Sequence, residues 1–226
     1  MAEKKETIQR VTRSKEEAKI TYDRLSKHYD TISGHSENKF KKRGVELLGI
    51  REGERVLEIG FGTSIVLELL ARLVGPTGKV HGIDISTGML GVAEKRLNKA
   101  GLLDIVDLQI ADASALPFDE RYFDAIFTSF TLDLIDTPEI PTVLDGCARV
   151  LKNDGRICVV SLSLGDGKSK MVSMYRWFHE KFPKQIDCRP ILARDALETA
   201  GFSIINFERT SMWRLPVDII VAKKGN

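Results

Sequence analysis

Cysteine is scarce in this chain of 226 residues, which contains only Cys147, Cys158 and Cys188. An odd number of widely separated thiols suits neither a disulfide framework nor a zinc site built from cysteine pairs. His and Cys also lack the spacing of metal ligands, so the sequence predicts no metal centre.

Long apolar runs are missing too, since no stretch reaches the roughly 18 apolar residues that a membrane span needs. The polar N-terminal region has no signal-peptide pattern. A formal net charge of +2 gives no electrostatic argument for a nucleic acid or a membrane surface. These absences predict a cytoplasmic protein with a small-molecule partner, no stable membrane insertion and no nucleic acid; they leave the oligomeric state unknown.

The turn that organises the chain lacks the third glycine of a dinucleotide-binding fingerprint. Residues 56–64, Val-Leu-Glu-Ile-Gly-Phe-Gly-Thr-Ser, are typical of a buried strand followed by a tight turn and a helix. In that helix Ile65, Leu69 and Leu73 are predicted to form one apolar row and Val66 and Leu70 another, and Gly75-Pro76 is expected to end it. Gly60 and Gly62 permit a sharp turn and a close ligand, but Ile65 stands where the third glycine would be. The acidic Glu58 favours a cationic ligand over a phosphate. The sequence therefore argues against an NAD-dependent oxidoreductase.

Strands and helices alternate along the rest of the chain. Further strands are predicted at 79–84, 106–111, 123–129 and 156–162, and an Asn-Asp-Gly turn at 153–155 precedes the last of these. Such alternation predicts a mostly parallel α/β sheet with helices on both faces. Two late strands, 202–208 and 217–222, have little room for a crossover helix, so we expect an antiparallel hairpin at the sheet edge.

Ligands of open α/β sheets bind at the carboxyl ends of the strands. Asp84 ends the second strand and suits a ribose, whereas Asp112 and Ala113 suit the amine and ring of adenine. Ile85 and Met89 could sandwich that ring. Alternatively, Asp84 caps a helix and Asp112 makes a turn, but their places at successive strand ends favour the adenosine hypothesis.

These segments resemble the class I S-adenosylmethionine-dependent methyltransferases, and among them the ubiquinone/menaquinone biosynthesis group. The similarity is carried by residues 56–64 and by three further segments: His-Gly-Ile-Asp-Ile-Ser at 81–86, Ala-Asp-Ala-Ser-Ala-Leu-Pro-Phe at 111–118 and Arg-Val-Leu-Lys-Asn-Asp-Gly at 149–155. It covers about 22–164. The resemblance implies a Rossmann-like, seven-stranded, mostly parallel sheet with an antiparallel last strand, and an enzyme whose methyl donor is S-adenosylmethionine.

The resemblance also implies roles for individual residues. Gly60, Gly62 and Thr63 would contact the methionine part of the donor, and Ser129 would lie near its sulfonium. Tyr29 would belong to an N-terminal helical lid at 1–50, in front of a donor-binding domain at 51–226.

The acceptor is less well indicated by the sequence. After Ser129 and Phe130 the Thr-Leu-Asp-Leu-Ile segment departs from the quinone-modifying enzymes, so the expected acceptor is small and hydrophobic or aromatic, and quinone-like only by resemblance. An aromatic helix at 171–182 either contacts such a ligand or packs on the sheet. A non-catalytic donor-binding module is the alternative function.

No catalytic residue is assigned from the sequence. Candidate bases are His28, Tyr29, His35, Asp133 and His179, each with an alternative role on the surface or in helix packing. Cys147 and Cys158 are expected to be buried. The basic cluster Lys39, Lys41, Lys42 and Arg43 is interpreted as a solvated helix face.

Overall fold

The computed structural model describes residues 8–26, 35–165, 169–182 and 188–225. Its centre is one seven-stranded sheet. The strands are β1 Arg55–Ile59, β2 Lys79–Asp84, β3 Val106–Ile110, β4 Phe123–Ser129, β5 Leu151–Leu162, β6 Phe202–Met212 and β7 Leu215–Lys224. Their spatial order is β3-β2-β1-β4-β5-β7-β6. The first five are parallel, whereas β7 is antiparallel to both neighbours. The predicted fold and its late hairpin are confirmed.

Seven helices occur in the described residues: α1 Lys15–Leu25, α2 His35–Leu48, α3 Ile65–Val74, α4 Thr87–Ala100, α5 Ile140–Val150, α6 Lys170–Lys181 and α7 Ala193–Thr199. Two 3-10 turns, Leu132–Leu134 and Thr137–Glu139, follow β4. None of the described helices is both long and apolar enough to cross a bilayer.

Alternating side chains of β1 pack in two apolar layers, one on each face of the sheet. Val56 packs in the layer that includes residues of α2, α3 and α4, whereas Leu57 and Ile59 pack with residues of α5 and α7. This burial on both faces is the usual environment of a parallel strand, which explains the apolar sequence. Glu58 is the exception, and it lies on the same face as Val56.

The apolar side of α3 differs from the predicted rows. Val66 and Leu70 are buried as expected, but the row Ile65, Leu69 and Leu73 is not, and Leu73 is 40% exposed. The helix instead buries Leu67, Ala71 and Val74 against the sheet. Gly75, with φ 65°, ends the helix as predicted.

The predicted turn at 153–155 is a bulge inside β5. Leu151 pairs with Phe123 of β4, but Arg156 is the partner of Ala125, so the residues between bulge out of the ladder. Asn153 and Asp154 are exposed there. Turn-forming residues were recognised correctly, but the strand begins before them rather than after.

Helix α2 lies unusually close to the sheet because Gly44 has no side chain. A Cβ at Gly44 would come within 2.8 Å of Val160 Cγ2 and 3.0 Å of the Phe127 ring. Phe40, Val45 and Leu48 complete the buried side of the helix. This packing fixes α2 against β4 and β5, and with it the residues one turn before Gly44.

Candidate functional site

The glycine turn after β1 is built from backbone that only glycine adopts easily. Gly60 has φ 77°, and a Cβ there would overlap the side chain of Thr131. Its N–H donates to Ile83 O at 2.8 Å, which ties the turn to the end of β2. Gly62 has φ 52°, and a Cβ there would have nothing within 4 Å. The turn therefore leaves open space beside it.

Asp84 links two loops at the strand ends. Its Oδ2 accepts from the Gly62 N–H at 2.9 Å, and its Oδ1 accepts from the Ser86 N–H at 2.9 Å. Burial raises the pKa of Asp84, although these hydrogen bonds oppose the shift. Ser86, not Asp84, caps α4 by accepting from the Met89 N–H at 3.0 Å. Each carboxylate oxygen retains a lone pair for a ligand hydroxyl.

Asp112 makes a local turn and a long-range ion pair. Its Oδ1 accepts from Ser114 N and Oγ at 2.9 and 2.8 Å. Lys15 Nζ, from α1, donates to its Oδ2 at 2.7 Å and also reaches Glu139 at 2.8 Å. Burial alone would raise the pKa of Asp112, but hydrogen bonds from Lys15 and Ser114 lower it. The carboxylate is therefore ionised in the folded chain.

Glu58 is a buried carboxyl group with an unsatisfied oxygen. Its side chain is 2% exposed, and Oε2 has no hydrogen-bond partner. Burial raises its pKa well above the usual range, while the charge of Lys41 opposes that shift. A buried acceptor without a partner is costly, so a cationic donor group at this point would stabilise it.

These groups line one cavity of about 400 Å³. Ten predicted residues line it: Glu58, Gly60, Gly62, Thr63, Asp84, Ile85, Met89, Asp112, Ala113 and Ser129. Tyr29, the eleventh, lies outside the described residues. The structure thus brings together every predicted binding residue that it describes, whereas their contact with a donor remains a prediction.

The N-terminal segment 8–26, here called the strap, covers this cavity with Val11, Arg13, Lys15 and Tyr22 among others. Its helix α1 has no buried residue, and the strap is held by polar contacts together with Ile8 and Tyr22, which pack partly buried against the core. At one end Arg10 forms a bidentate pair with Asp136, with Nε and Nη2 contacts of 2.9 and 2.7 Å.

At the other end of the strap, Asp23 Oδ1 accepts from Ser86 Oγ at 2.6 Å and from the Gly88 N–H at 2.7 Å. The lack of a side chain at Gly88 permits this contact, since a Cβ there would lie 2.7 Å from Asp23 Cα. The strap therefore contacts the α4 end of the cavity as well as the 3-10 turns. No local pattern in the sequence predicts these long-range contacts.

Lys41 is a cavity residue that the sequence interpretation missed. Lys39, Lys42 and Arg43 are exposed as predicted, but the Lys41 side chain is only 14% exposed and lines the cavity. Its Nζ lies 2.8 Å from Glu37 Oε2, one helical turn away. A helical spacing that places position 41 with buried Val45 and Leu48 was the available signal.

Two candidate bases are accounted for and neither lines the cavity. Asp133 is fully buried, and its Oδ2 accepts from the Leu162 N–H at 2.8 Å, which is a structural contact. His179 is a buried residue of α6. His28 and Tyr29 lie outside the described residues, as does the side chain of His35. No base is assigned.

The aromatic helix packs on the core through one side only, where Val172 is buried and Met171 and Tyr175 contact the core cluster. Trp177 and Phe178 of α6 are exposed, at 51% and 37%, and do not line the cavity. Tyr175 instead donates its hydroxyl to Cys188 O at 3.0 Å. Beyond Ser129 the cavity is lined by Phe130, Leu134 and Ile135, which belong to the segment from which the acceptor was predicted.

The thiols Cys147 and Cys158 are buried, as predicted. Burial raises the pKa of Cys147 to about 12 and that of Cys158 further, so both are inert. Within the described residues, no three His, Cys, Asp or Glu side chains are grouped to hold a metal ion.

Comparison with known proteins shows what the central part of the chain resembles. Residues 56–155 match the model of a methyltransferase domain. The ubiquinone/menaquinone biosynthesis C-methyltransferase UbiE of Pseudomonas fluorescens is 38% identical over 134 residues, which are 59% of this chain and 52% of the relative. The UbiE protein of Pseudomonas entomophila is 37% identical over the same coverage. The chain spans about half the length of these curated relatives.

Solved structures share the fold at lower identity. A SAM-dependent methyltransferase from Aquifex aeolicus superposes with a TM-score of 0.62 at 21% identity, covering 81% of this chain and 89% of that one. The (4+2)-cyclase SpnF gives a TM-score of 0.80 at 18% identity and covers 98% of this chain and 99% of that one.

S-adenosylmethionine is the methyl donor of the class to which the matched domain model and relatives point. The sheet order and the reversed β7 agree with the same class. Sequence and fold together confirm that this chain resembles the class I S-adenosylmethionine-dependent methyltransferases, and within them the ubiquinone/menaquinone group.

Proposed function

We propose that the chain is a methyltransferase that takes its methyl group from S-adenosylmethionine and acts on a small hydrophobic or aromatic acceptor. The observation that carries this proposal is the cavity in which Glu58 lies with Asp84 and Asp112. Those three carboxyl groups match an ammonium group, a ribose and an adenine amine respectively. Gly62 leaves the space that the connecting chain of such a donor needs.

The residues present fit the donor at both of its ends. Asp84 would hold the ribose hydroxyls, Asp112 and Ala113 the adenine, and Ile85 and Met89 the faces of its ring. Gly60, Gly62 and Thr63 would contact the methionine part, and the unpartnered Glu58 Oε2 would accept from the amino group. Ser129 would lie beside the sulfonium, and Tyr29 would belong to the lid.

The donor, when bound, supplies an electrophilic methyl group that passes directly to the acceptor as the sulfonium charge is lost. The chain's own residues act mainly by proximity, alignment and exclusion of water. The strap, part of the predicted lid at 1–50, covers the cavity through Val11, Lys15 and Tyr22. The boundary at 50/51 between this lid and the donor-binding domain stays a prediction, and α2, which falls on the lid side of it, packs against β4 and β5.

The apolar wall of the cavity supports a hydrophobic acceptor. Phe130, Leu134 and Ile135 lie beyond Ser129, where the acceptor would approach the donor. A quinone-like acceptor is suggested by the names of the curated relatives, which describe C-methyltransferases of ubiquinone and menaquinone biosynthesis. The small-molecule acceptor and cytoplasmic residence remain predictions.

The two alternatives differ in what they would bind and do. An NAD-dependent oxidoreductase is disfavoured by Ile65 at the third-glycine position and by β7, which is antiparallel where the dinucleotide fold has a parallel strand. A donor-binding protein that transfers no methyl group is retained as the second alternative. It is supported by a structural neighbour that covers 98% of this chain and is described as a cyclase, not as a methyltransferase.

Calorimetry with S-adenosylmethionine, S-adenosylhomocysteine and NAD tests the donor. We expect binding of the first two and none of NAD, and preference for NAD would contradict the proposal. Mass spectrometry of cell extract incubated with protein and isotopically labelled donor then tests methyl transfer, since a methylated acceptor gains the labelled methyl group. Donor binding without any labelled product would favour the non-catalytic alternative.

A further inference from the structure

We infer that Lys41 of α2 binds the carboxylate of the donor's amino-acid end, opposite Glu58, so that the pair recognises both charges of a zwitterion. This inference rests on the proposed function and adds a binding residue to it. Amino-acid tails carry one cationic and one anionic group on adjacent atoms. A site that selects such a tail therefore needs one fixed charge of each sign, close together.

Lys41 and Glu58 line the same cavity because α2 covers the face of the sheet to which Glu58 points. Glu58 alternates with Leu57 and Ile59 along β1, so it points to the side that α2 covers. Gly44 allows α2 to approach that face closely, one turn beyond Lys41. Both side chains line the cavity, and the Lys41 charge lowers the otherwise raised pKa of Glu58.

The Lys41 ammonium has capacity for another partner. Its ion-pair contact with Glu37 Oε2, at 2.8 Å, occupies at most one of three N–H donors, since that oxygen forms no hydrogen bond of good geometry. The centroid of the Phe130 ring lies 6.0 Å from Nζ, and the Lys41 side chain is only 14% exposed. Glu37 thus holds the ammonium in place while two donors remain for a carboxylate, and Glu58 Oε2 remains available for the ammonium of the ligand.

Two other cations line the cavity among the described residues, and both suit this role less well. Lys15 already pairs with Asp112 and Glu139, at the adenine end. Arg13 belongs to the strap, whose helix buries no residue, and it lies over the Tyr22 ring at 5.6 Å. Lys41 is the cation fixed to the core and placed beside Glu58.

The test compares S-adenosylmethionine with decarboxylated S-adenosylmethionine, which lacks only the carboxylate. Calorimetry on the full chain gives the ratio of the two dissociation constants. We expect the wild type to prefer the intact donor by about ten- to a hundred-fold, the amount expected for a charge-assisted hydrogen bond. Lys41→Gln should bring the ratio close to one by weakening the intact donor alone.

Matched variants keep the result interpretable. Lys42→Gln removes a neighbouring exposed charge and should leave the ratio unchanged, whereas Lys41→Arg should retain most of it. Should Lys41→Gln unfold, the double variant Glu37→Gln/Lys41→Gln removes both partners of the ion pair and should show the same loss of preference.

A wild-type preference that persists in Lys41→Gln would overturn the inference while leaving the proposed function intact. A preference lost in Arg13→Gln instead would assign the carboxylate to the strap and overturn it equally. Failure of the wild type to bind either compound would contradict the proposed function itself.

Discussion

The floor of the cavity and its cover are built by different physical means. The floor consists of strand ends and the glycine turn: Gly60 directly follows β1, Asp84 is the last residue of β2, and Asp112 lies two residues beyond β3. The cover is the strap, whose helix buries no residue and which is tied down by contacts such as Arg10–Asp136. We learn from this difference that the floor is fixed by the core and the cover is able to loosen separately.

Substitution in the glycine turn should give the largest loss of both stability and donor binding. Gly60→Ala places a Cβ on Thr131 at φ 77°, so we expect a loss of about 2–5 kcal/mol in unfolding free energy and loss of donor binding. Denaturant unfolding and calorimetry measure the two effects. Gly91→Ala in α4 is the control, since a Cβ there meets nothing within 4 Å. Equal behaviour of the two variants would show that the turn is not strained.

Removal of a carboxylate from the floor should affect binding more than folding. Asp84→Ala removes the acceptor of the Gly62 and Ser86 N–H groups and of the proposed ribose contact. We expect donor affinity to fall by about a hundred-fold, as for charged hydrogen bonds left unmade. Asp107→Ala is the control, because Asp107 pairs with Lys79 on the neighbouring strand and does not line the cavity. Unchanged affinity in Asp84→Ala would remove Asp84 from the site.

Glu58 should make the floor sensitive to pH. Because burial raises its pKa, the ligand-free protein is most stable below about pH 4.5 with respect to this group and loses that contribution as pH rises and the buried carboxyl ionises. The positive charge of Lys41 lowers the pKa of Glu58, whereas the negative charge of Asp84 raises it.

Calorimetry of S-adenosylhomocysteine in buffers of different ionisation enthalpy reports on Glu58. A bound ammonium favours the carboxylate, so we expect proton release from Glu58 on binding near the folded pKa of that group, and none in Glu58→Gln. Identical proton release in the wild type and the variant would show that Glu58 does not face the donor.

Substitution in the strap should have the smallest effect on global stability. Lys15→Met removes the pairs with Asp112 and Glu139, which are partly exposed, so the unfolding free energy should fall by less than about 1 kcal/mol. Hydrogen exchange within 8–26 should nevertheless accelerate, while exchange in β1 and β4 stays constant. Lys19→Met, on the same helix, is the control. Faster exchange across the sheet would show that strap and floor unfold together.

The same comparison explains what could be predicted from the sequence. The floor could be predicted from local sequence patterns. The apolar residues of the strands, the glycine at position 60 and the carboxylate of Asp84 at a strand end can each be recognised from a few neighbouring residues. Lys41 was misassigned because four basic residues within positions 39–43 suggested one exposed face. Lys41 differs from Lys42 in lying one helical turn before the buried Val45. Asp133 was offered as a base, but its partner is the Leu162 N–H, far away in sequence.

The strap contacts were unpredictable for the same reason. Arg10 meets Asp136 and Asp23 meets Ser86 across large sequence separations, and exposed polar pairs have no periodic signature. The exposure of Trp177 likewise depends on how α6 sits against the sheet, which its aromatic composition does not specify.

A crystal structure grown with S-adenosylhomocysteine tests the central claim most directly. We predict the adenosine on Asp84 and Asp112, and the amino-acid end between Glu58 and Lys41. An empty cavity at saturating ligand, or the ligand bound elsewhere on the chain, would contradict the account.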